Sequence, residues 1–414
     1  MKPAITYIFF IWIFFLGRTL NAQTVNVGEV YLSPNTIMST VGTLDNQATG
    51  DFVNDGELFV YSHYNNDGLM TFTTGTTTGI TRFRGLTGFQ DISGSMPVEW
   101  YNVEFNNDKI QPAFHLSNEV RVFGSADFKQ GIVQSDDYNG TFVFNQNGVH
   151  TNTSNESHVD GKVIKNGSPE FLYPIGDKSF FRYAAMSAPG NNSSSFSGKY
   201  FFEDPNPLYA LAKKAVTIDI IDDKEYWTFD KVAGTQDVLL TLSWDDATTP
   251  TAITATPQDD IHIVRWDTGQ QLWVDEGGVV DANTKTVTTV VSLLAYGPFT
   301  LARVKDISDG DVVIHNAISP NGDGVNDYFK IDNIKKYPDN KVVIYNRWGV
   351  RVFETSAYDS NGNVFSGYSD GRSTIKRSDL LPTGTYFYTI EYEYDNAGVS
   401  SHIKKSGYLY INNQ

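Results

Sequence analysis

Oxygen-bearing side chains cluster in a short glycine-rich segment near the C-terminus, Asn321-Gly-Asp-Gly-Val-Asn-Asp327. Asn321, Asp323 and Asp327 are separated by short intervals, and the glycines between them allow the chain to bend around a hard cation such as Ca²⁺. The segment lacks the bidentate glutamate that closes an EF-hand loop. The same residue types also form Asx turns that hold the start of a strand without a metal. The spacing therefore allows a calcium site at Asn321, Asp323 and Asp327, although we favour an Asx-turn cluster that needs no metal.

Adjacent acidic residues occur at further places, and none of them suggests a catalytic centre. The pairs are Asp136-Asp137, Asp222-Asp223, Asp245-Asp246 and Asp259-Asp260. Glycoside hydrolysis needs two carboxylates ~5–9 Å apart across a cleft, which neighbouring residues in a turn do not provide. The 7 histidines show no HExxH spacing, and the chain has no cysteine for a thiolate site. We therefore place these pairs in solvated turns and predict that the protein is not an enzyme.

A tryptophan-rich stretch lies in the middle of the chain and contains Trp227, Trp244, Trp266 and Trp273. Exposed tryptophans would offer flat faces on which sugar rings stack. Most of these residues lie within apolar, strand-like runs, so we expect them to be buried in a core.

The charge of the chain argues against a nucleic-acid partner. It carries 48 acidic and 31 basic side chains, a formal net charge of −17, and shows no basic footprint for a phosphate backbone. The 27 phenylalanines and 23 tyrosines greatly outnumber the 5 methionines, which favours strands over helices. A length of 414 residues is enough for several domains. These features predict an all-β protein with more than one domain.

Residues 1–22 have the pattern of a signal peptide. Lys2 gives a positive start, a mainly apolar run extends from Ala4 to Gly17, and the small residue Ala22 precedes the first polar stretch. The run is short for a membrane span, which needs ~20 apolar residues, but it suits the core of a signal peptide. This segment is therefore predicted to direct export to the periplasm and to be removed.

From residue 23 to residue 166 the sequence repeats a glycine followed by alternating apolar residues, as in Gly56-Glu-Leu-Phe-Val60 and Gly140-Thr-Phe-Val-Phe144. Asn-Asp-Gly and Asn-Gly turns separate these units at irregular intervals. Period-two strands with such turns are typical of antiparallel sheets or of the coils of a β-solenoid. Because the units resemble one another and lack long loops, we predict an irregular β-solenoid, with a β-sandwich as the alternative.

Residues 167–305 lack the glycine-led repeat of the preceding region and contain aromatic, strand-like runs such as Glu225-Tyr-Trp-Thr-Phe229. Only Leu208 to Ala215 has the pattern of a helical turn. We predict a middle β-sandwich here, followed by a polar linker from Arg303 to Asp311.

Three motifs follow one another in residues 312–414. They are Pro320-Asn-Gly-Asp-Gly-Val-Asn-Asp327, Asn346-Arg-Trp-Gly349 and Leu381-Pro-Thr-Gly-Thr-Tyr386. The order of these motifs and their residues resemble the gliding motility-associated C-terminal domain of Bacteroidota, the type B sorting domain of the type 9 secretion system. One departure is Phe365-Ser-Gly367, where the family usually carries Trp-Asp-Gly. The residues that match the motif are Pro320, Asn321, Gly322, Asp323, Gly324, Asn326, Asp327, Asn346, Arg347, Trp348, Gly349, Gly384 and Tyr386.

The resemblance implies that residues 312–414 form an Ig-like β-sandwich that directs export through the type 9 secretion translocon. It also implies dependence on a SprF-like outer-membrane protein and a sorting role, not a catalytic one. The residues themselves agree with a small sandwich, because short apolar strands are separated by turn glycines such as Gly349 and Gly384. Arg347 could lay its guanidinium on the ring of Trp348, although we favour packing of this pair within the fold.

The sequence thus predicts an all-β chain with an N-terminal irregular β-solenoid or sandwich, a middle β-sandwich and a C-terminal Ig-like β-sandwich. The protein would be secreted or held at the outer cell surface. Residues 23–305 are predicted to be an adhesion or interaction module linked to the cell surface or to gliding, with a surface glycan or a protein as ligand. The alternative is a polysaccharide-active enzyme on the solenoid, which a cleft with converging carboxylates would favour.

Overall fold

The computed structural model describes residues 23–305, 312–370, 380–396 and 399–413, and over these residues β-strands are by far the most abundant regular structure, with one short α-helix and two 3₁₀-helices. The predicted signal peptide and most of the predicted linker lie outside the described residues. Within the described part of the chain, no helix has the length and apolar character needed to cross a membrane.

Residues 24–166 wind into a β-solenoid in which successive coils add short parallel strands to three sheets. The strands are β1 Thr24–Asn26, β2 Glu29–Leu32, β3 Ile37–Thr40, β4 Leu44–Asn46, β5 Asp51–Asn54, β6 Glu57–Val60, β7 Tyr64–Asn66, β8 Leu69–Thr71, β9 Ile80–Arg84, β10 Gln90–Ser93, β11 Val98–Trp100, β12 Asn102–Asn106, β13 Phe114–Leu116, β14 Glu119–Val122, β15 Ser125–Gln130, β16 Val133–Gln134, β17 Thr141–Phe144, β18 Val149–Thr151, β19 Val159–Asp160 and β20 Val163–Asn166. Every third strand belongs to the same sheet, so that β2, β5, β8, β11, β14, β17 and β20 are neighbours. The predicted solenoid is confirmed, and it forms in place of the alternative sandwich.

Stacked side chains explain why this sequence forms coils. Val60, Phe83, Phe105 and Phe128 are register partners on consecutive strands, and all four are fully buried inside the solenoid. The ring centroids of Phe83 and Phe105 are 5.7 Å apart, and those of Phe105 and Phe128 are 5.4 Å apart. Each coil therefore buries its apolar face mainly against its neighbours. The connections between strands vary in length, which accounts for the irregular spacing of the glycine units.

An asparagine ladder fixes one corner of the first coils. Asn26 Nδ2 donates to Asn46 Oδ1 at 2.9 Å, and Asn46 Nδ2 donates to Asn66 Oδ1 at 2.8 Å. Asn66 Nδ2 continues the ladder by donating to the Met96 carbonyl at 3.0 Å. The three amides are buried, so each needs partners, and the stack supplies them from one coil to the next.

Two sheets make up most of the middle region, and a short hairpin at its start ends a third sheet, that of β19 in the solenoid. Its elements are β21 Phe171–Leu172, β22 Ile175–Asp177, β23 Phe180–Phe181, β24 Ala184–Met186, β25 Ser195–Phe201, β26 Ile218–Ile221, β27 Tyr226–Ala233, β28 Leu240–Ser243, α1 Thr251–Thr254, a 3₁₀-helix at Gln258–Asp260, β29 Ile261–Asp267, β30 Leu272–Gly277, β31 Val279–Asp281, β32 Thr286–Thr288 and β33 Gly297–Val304. One sheet has the order β21-β24-β28-β32-β31 and is antiparallel. The other continues the solenoid sheet of β20 in the order β25-β27-β33-β29-β30.

The junction between solenoid and middle region is a continuous sheet. Strand β20 pairs in antiparallel register with β25, with Val163 opposite Gly198. One buried hydrophobic cluster extends from Leu32 in the first coil to Leu301 in β33. The predicted boundary between residues 166 and 167 is therefore crossed by both the sheet and the core, and the sandwich assignment for the middle region stays a prediction. The predicted helical turn at Leu208–Ala215 is present only as isolated turns.

The C-terminal region has its own core. Its elements are β34 Val313–Ile314, β35 Ala317–Ile318, β36 Ile331–Asp332, a 3₁₀-helix at Ile334–Lys336, β37 Lys341–Tyr345, β38 Arg351–Ser356, β39 Gly384–Asn396 and β40 Val399–Ile411. A five-stranded sheet has the order β35-β40-β39-β37-β38, and β34 pairs with β36. The buried cluster of this region extends from Val312 to Ile411 and is distinct from the core of residues 23–305. The Ig-like sandwich predicted here stays a prediction.

Candidate functional site

The glycine-rich loop that follows β35 is closed by its own hydrogen bonds. The two carboxylate oxygens of Asp327 accept the backbone N–H groups of Gly322 and Gly324, both at 2.7 Å. Asp323 Oδ1 accepts the Val325 N–H at 2.7 Å, and its Oδ2 accepts the Asn321 side-chain amide at 2.9 Å. These donors also lower the pKa of Asp323.

This geometry is that of an Asx-turn cluster, the arrangement favoured for the loop. Within the residues that the structure describes, no three Asp, Glu or His side chains converge as a metal-binding cluster. Calcium binding at Asn321, Asp323 and Asp327 stays a prediction, because carboxylate oxygens that accept one N–H each keep a second lone pair.

The other two motifs converge on one small cavity. Residues 346–348 of the turn after β37 and residues 382–386 at the start of β39 line a space of about 260 Å³. Asn346 Oδ1 holds this turn by accepting the N–H groups of Trp348 and Val350, each at 3.0 Å. Gly349 has φ of 72°, which favours glycine, and its Cα faces the side chain of Leu239 in the middle region. The structure thus unites the second and third motifs and leaves the loop of residues 320–327 apart from them.

Trp348 is exposed, contrary to the packed arrangement that we expected. The Arg347 guanidinium carbon lies 4.4 Å from the centroid of the Trp348 ring, and 65% of the tryptophan surface is accessible. The pair therefore stacks outside the core as a cation–π contact. Phe365, by contrast, is fully buried, so the aromatic that replaces the usual tryptophan of the family motif acts as a core anchor.

Residues 312–411 match the family model of the CHU_C type IX secretion signal domain. The C-terminal domain is a type IX secretion signal domain. Comparisons of the chain with curated proteins and with solved structures found no match. The secretion signal domain implies export to the cell surface or into the medium by the type 9 machinery, and the remaining residues are described below as the passenger.

The predicted burial of the passenger tryptophans is confirmed. Trp227, Trp244, Trp266 and Trp273 all lie in the core and offer no surface to a ligand. The prediction of solvated turns is wrong for Asp222, which is fully buried. Asp222 Oδ1 accepts the N–H groups of Lys224 and Glu225, and burial raises the pKa of Asp222 well above its ordinary value.

Glu225 forms the centre of a buried polar network beside Asp222. Its carboxylate oxygens accept the hydroxyl groups of Tyr200 and Thr249, and burial raises its pKa. The network joins β25, β27 and the segment before α1, and its members are enclosed by the fold. Its buried carboxyl groups therefore link segments of the middle region and do not line an open surface.

The passenger carries an open groove on the solenoid sheet that contains β8, β11, β14, β17 and β20. Two cavities of about 540 Å³ and 400 Å³ share residues Glu99, Phe123, Asn145 and Asn166, so they form one continuous depression, which we call the sheet groove. The larger cavity is lined by Thr71, Phe72, Thr74, Gly75, Thr76, Thr77, Glu99, Tyr101, Phe123, Asn145, Gln146, Asn147, Asn166, Gly167 and Asn192.

Three aromatic rings form one end of the sheet groove. Phe72, Tyr101 and Phe123 each follow directly after the last residue of β8, β11 and β14. The Phe72 ring lies 5.4 Å from Tyr101 and 5.1 Å from Phe123, in edge-to-face geometry. All three rings are half-buried. These three rings were not predicted from the sequence. The pattern that could have indicated them is an aromatic residue directly after an apolar strand in successive units.

The loop of residues 72–79 forms a wall of the groove and is tied to the solenoid by Asp55. Asp55 is fully buried, and its Oδ1 accepts the Thr73 N–H and the Thr76 hydroxyl, both at 2.8 Å. The Asp55 carbonyl accepts the Thr78 hydroxyl at 2.7 Å. Burial alone would raise the pKa of Asp55, but these donors outweigh it and the pKa is lowered.

Amide side chains continue the groove beyond the rings. Asn166 Nδ2 donates to Asn145 Oδ1 at 3.1 Å, and Gln146 Nε2 donates to Asn192 Oδ1 at 2.8 Å. These bonds link the turn after β17 to β20 and to the loop before β25. They hold the amides in place while part of each side chain remains accessible.

The charged groups of the sheet groove are paired with one another. Arg121 Nε donates to Glu119 at 2.6 Å, and its Nη1 lies 3.4 Å from Glu99. Glu99 also accepts the Thr71 hydroxyl at 3.0 Å. Both carboxylates therefore hold Arg121 in the floor of the groove.

Proposed function

We propose that the passenger is a non-enzymatic adhesion module, which the secretion signal domain delivers to the outer cell surface or to the medium. The sheet groove carries this proposal, because it is an open depression on the face of a solenoid sheet, lined by aromatic, amide and hydroxyl side chains. Removal of a signal peptide at residues 1–22, passage via the periplasm, dependence on a SprF-like outer-membrane protein and a link to gliding belong to the same proposal. The match of residues 312–411 supports it.

A polysaccharide-active enzyme is the second candidate, because Glu99 and Glu119 lie in the same groove. Acid–base catalysis needs one carboxyl group that is free to donate a proton and one that is free to act as base or nucleophile. Here both carboxylates accept from Arg121. This pairing supports binding over hydrolysis. Calcium at the loop of residues 320–327 remains a separate proposal on which neither candidate depends.

Export and adhesion can be tested in one experiment with the full chain and a variant truncated after Lys305. Cells that make each chain are fractionated, treated with external protease and assayed for attachment to polysaccharide-coated surfaces and for release of soluble sugar. We expect only the full chain to become accessible to protease or to reach the medium, with attachment and without sugar release. Export of the full chain and attachment are both expected to be lost in cells that lack the SprF-like protein.

Equal export of both chains would overturn the sorting role of residues 312–411 in this protein. Release of soluble sugar that is lost in a Glu99→Gln variant would replace adhesion by the enzymatic candidate.

A further inference from the structure

We propose that the sheet groove binds an uncharged polysaccharide, with sugar rings against Phe72, Tyr101 and Phe123 and hydroxyl groups on the amides beyond them. This inference rests on the proposed adhesive role of the passenger and names the site and class of ligand. A sugar ring presents an apolar C–H face and a rim of hydroxyl groups. The groove offers both complements side by side, with aromatic rings and threonine hydroxyls towards β8 and amide side chains towards β20.

The charge of the lining selects an uncharged chain. Arg121 is the basic residue of the groove, and its guanidinium is already engaged by Glu99 and Glu119. An anionic polysaccharide would therefore meet two carboxylates and no free cation. A cationic ligand would have to break the pairing to reach the carboxylates, which costs Coulomb energy and desolvation.

The position of the groove on the face of a sheet argues against a peptide as the occupant. Strands β8, β11, β14 and β17 are each paired on both sides, so their backbone donors and acceptors are used within the ladder. A peptide that binds by strand addition needs a free edge. The groove offers side chains only, and threonine, asparagine and glutamine both donate and accept hydrogen bonds, as sugar hydroxyls require.

The length of the groove points to a polymer. Its lining extends from Thr71 on β8 to Val232 on β27, across seven adjacent strands of one sheet. At ~4.8 Å between neighbouring strands, this corresponds to roughly 29 Å. A ligand that fills it must contain several sugar units, and the ties of Asp55 and Gln146 hold the walls in place before binding.

The test uses the mature full chain in native gels that contain an uncharged polysaccharide, hydroxyethyl cellulose or galactomannan, with alginate as the anionic comparison. The Tyr101→Ala/Phe123→Ala variant removes two rings of the groove. Because half-buried rings also support packing, Thr74→Arg is the second variant, since it places a long side chain at an exposed position of the lining. The matched control is Phe89→Ala/Tyr138→Ala, which removes exposed aromatics on either side of His115, outside the groove.

We expect an uncharged polysaccharide to retard the wild-type chain and the control, and both groove variants to bind about tenfold more weakly or worse, a loss of about 1.4 kcal/mol. Retardation that the groove variants retain, or that the control loses, would overturn the assignment of the site. If alginate alone retards the chain, the ligand is anionic and the proposed class of ligand is wrong. The class is also wrong if the chain adheres to cells and only protease treatment of the cell surface abolishes that adhesion. In both cases the adhesive function stands. Absence of both retardation and adhesion would contradict the adhesive function itself.

Discussion

His262 and Asp275 form a buried ion pair where the passenger meets the secretion signal domain. His262 Nδ1 lies 2.9 and 3.0 Å from the two carboxylate oxygens of Asp275, in a cavity of about 230 Å³ that Lys404 also lines. Burial by itself lowers the pKa of His262, but the Asp275 carboxylate and, more weakly, Asp260 outweigh this and raise it, against an opposing effect of Lys404. For Asp275, burial raises the pKa and the charged histidine outweighs it, so its pKa is lowered.

These opposite shifts predict a pH window of maximal stability. The raised pKa of His262 gives stabilisation that is complete below ~6.5 and is lost as the pH rises through the pKa of the folded state. The lowered pKa of Asp275 gives stabilisation that is present above ~3.9 and is lost at more acidic pH. Urea unfolding should therefore show higher stability at pH 6 than at pH 9. Asp275→Ala should cost about 3–5 kcal/mol at pH 6, because it leaves a buried charge without its partner.

The exposed pair of His315 and Asp332, with His315 Nε2 2.8 Å from the carboxylate, provides the control. His315→Gln should leave the difference between pH 6 and pH 9 unchanged. A difference that persists in Asp275→Ala would show that other groups produce it.

Individual residues could be predicted from the sequence where one physical effect dominates. The burial of Trp227 and Trp273 follows from their apolar strand context, and this prediction was correct. The exposure of Trp348 could not be predicted, because only the fold shows that its turn lies at the surface with Arg347 stacked on its ring. Asp222 was wrongly placed in solvent, since adjacent aspartates usually occupy turns and the enclosing strands are distant in sequence.

At the scale of elements, strand β20 ends the parallel coils with a buried lysine. Lys165 is almost inaccessible, and its Nζ donates to the carbonyls of Asn145, Gln146 and Gly148 at 2.7, 3.1 and 2.8 Å. Burial lowers its pKa to about 8, which still leaves the amine largely protonated at neutral pH. Its Nζ also lies 4.9 Å from the centroid of the Phe171 ring. The lysine thus satisfies the turn carbonyls of the preceding coil at the point where the sheet changes direction.

Replacing this cap should destabilise the solenoid. Lys165→Met keeps the apolar stem but removes the amine donor from three carbonyls, of which that of Asn145 still accepts the Gly148 N–H at 2.8 Å. We expect a loss of about 2–3 kcal/mol in the free energy of unfolding. Lys162→Met, at an exposed position three residues earlier, is the matched control and should change stability little. Chemical denaturation followed by circular dichroism measures both. Equal stability of the two variants would contradict the capping role of Lys165.

The type of element was easier to predict than its arrangement. Glycine-led units with alternating apolar residues indicated solenoid strands, because inward and outward positions alternate in every coil. The membership of each strand in one of three sheets was not predictable, because the connections vary in length and hide the period. The aromatic column of the groove was missed for the same reason, since Phe72, Tyr101 and Phe123 align only when the coils are stacked.

The described part of the chain contains two large hydrophobic cores and a smaller third cluster within the middle region, and the extent of the two large cores predicts the unfolding units. The first core joins solenoid and middle region, whereas the second belongs to the secretion signal domain. The antiparallel pairing of β20 with β25 joins the solenoid to the middle region. This pairing is set by tertiary contacts, and no local sequence pattern predicts it. Domain organisation was therefore less predictable than fold class.

Phe142→Ala in the solenoid should lower the stability of the entire passenger. The ring is fully buried, and its loss costs about 3–5 kcal/mol. Hydrogen exchange should become faster in the distant strand β27 together with the coils, while β39 in the secretion signal domain keeps its protection. Ile344→Ala, buried in the other core, is the reciprocal control. If β27 keeps its protection from exchange while the coils unfold, the solenoid and the middle region are two independent unfolding units.

The unbroken sheet from β8 to β33 also decides how the protein carries mechanical load. A cell held through a chain bound in the sheet groove would pull along the axis of the coils, in the direction of the interstrand hydrogen bonds. All the bonds between two neighbouring strands would then share the force at once, and the adjoining strands of the other solenoid sheets would share it with them. Separation of two neighbouring coils would therefore require the ladder bonds of the solenoid sheets between them to break together.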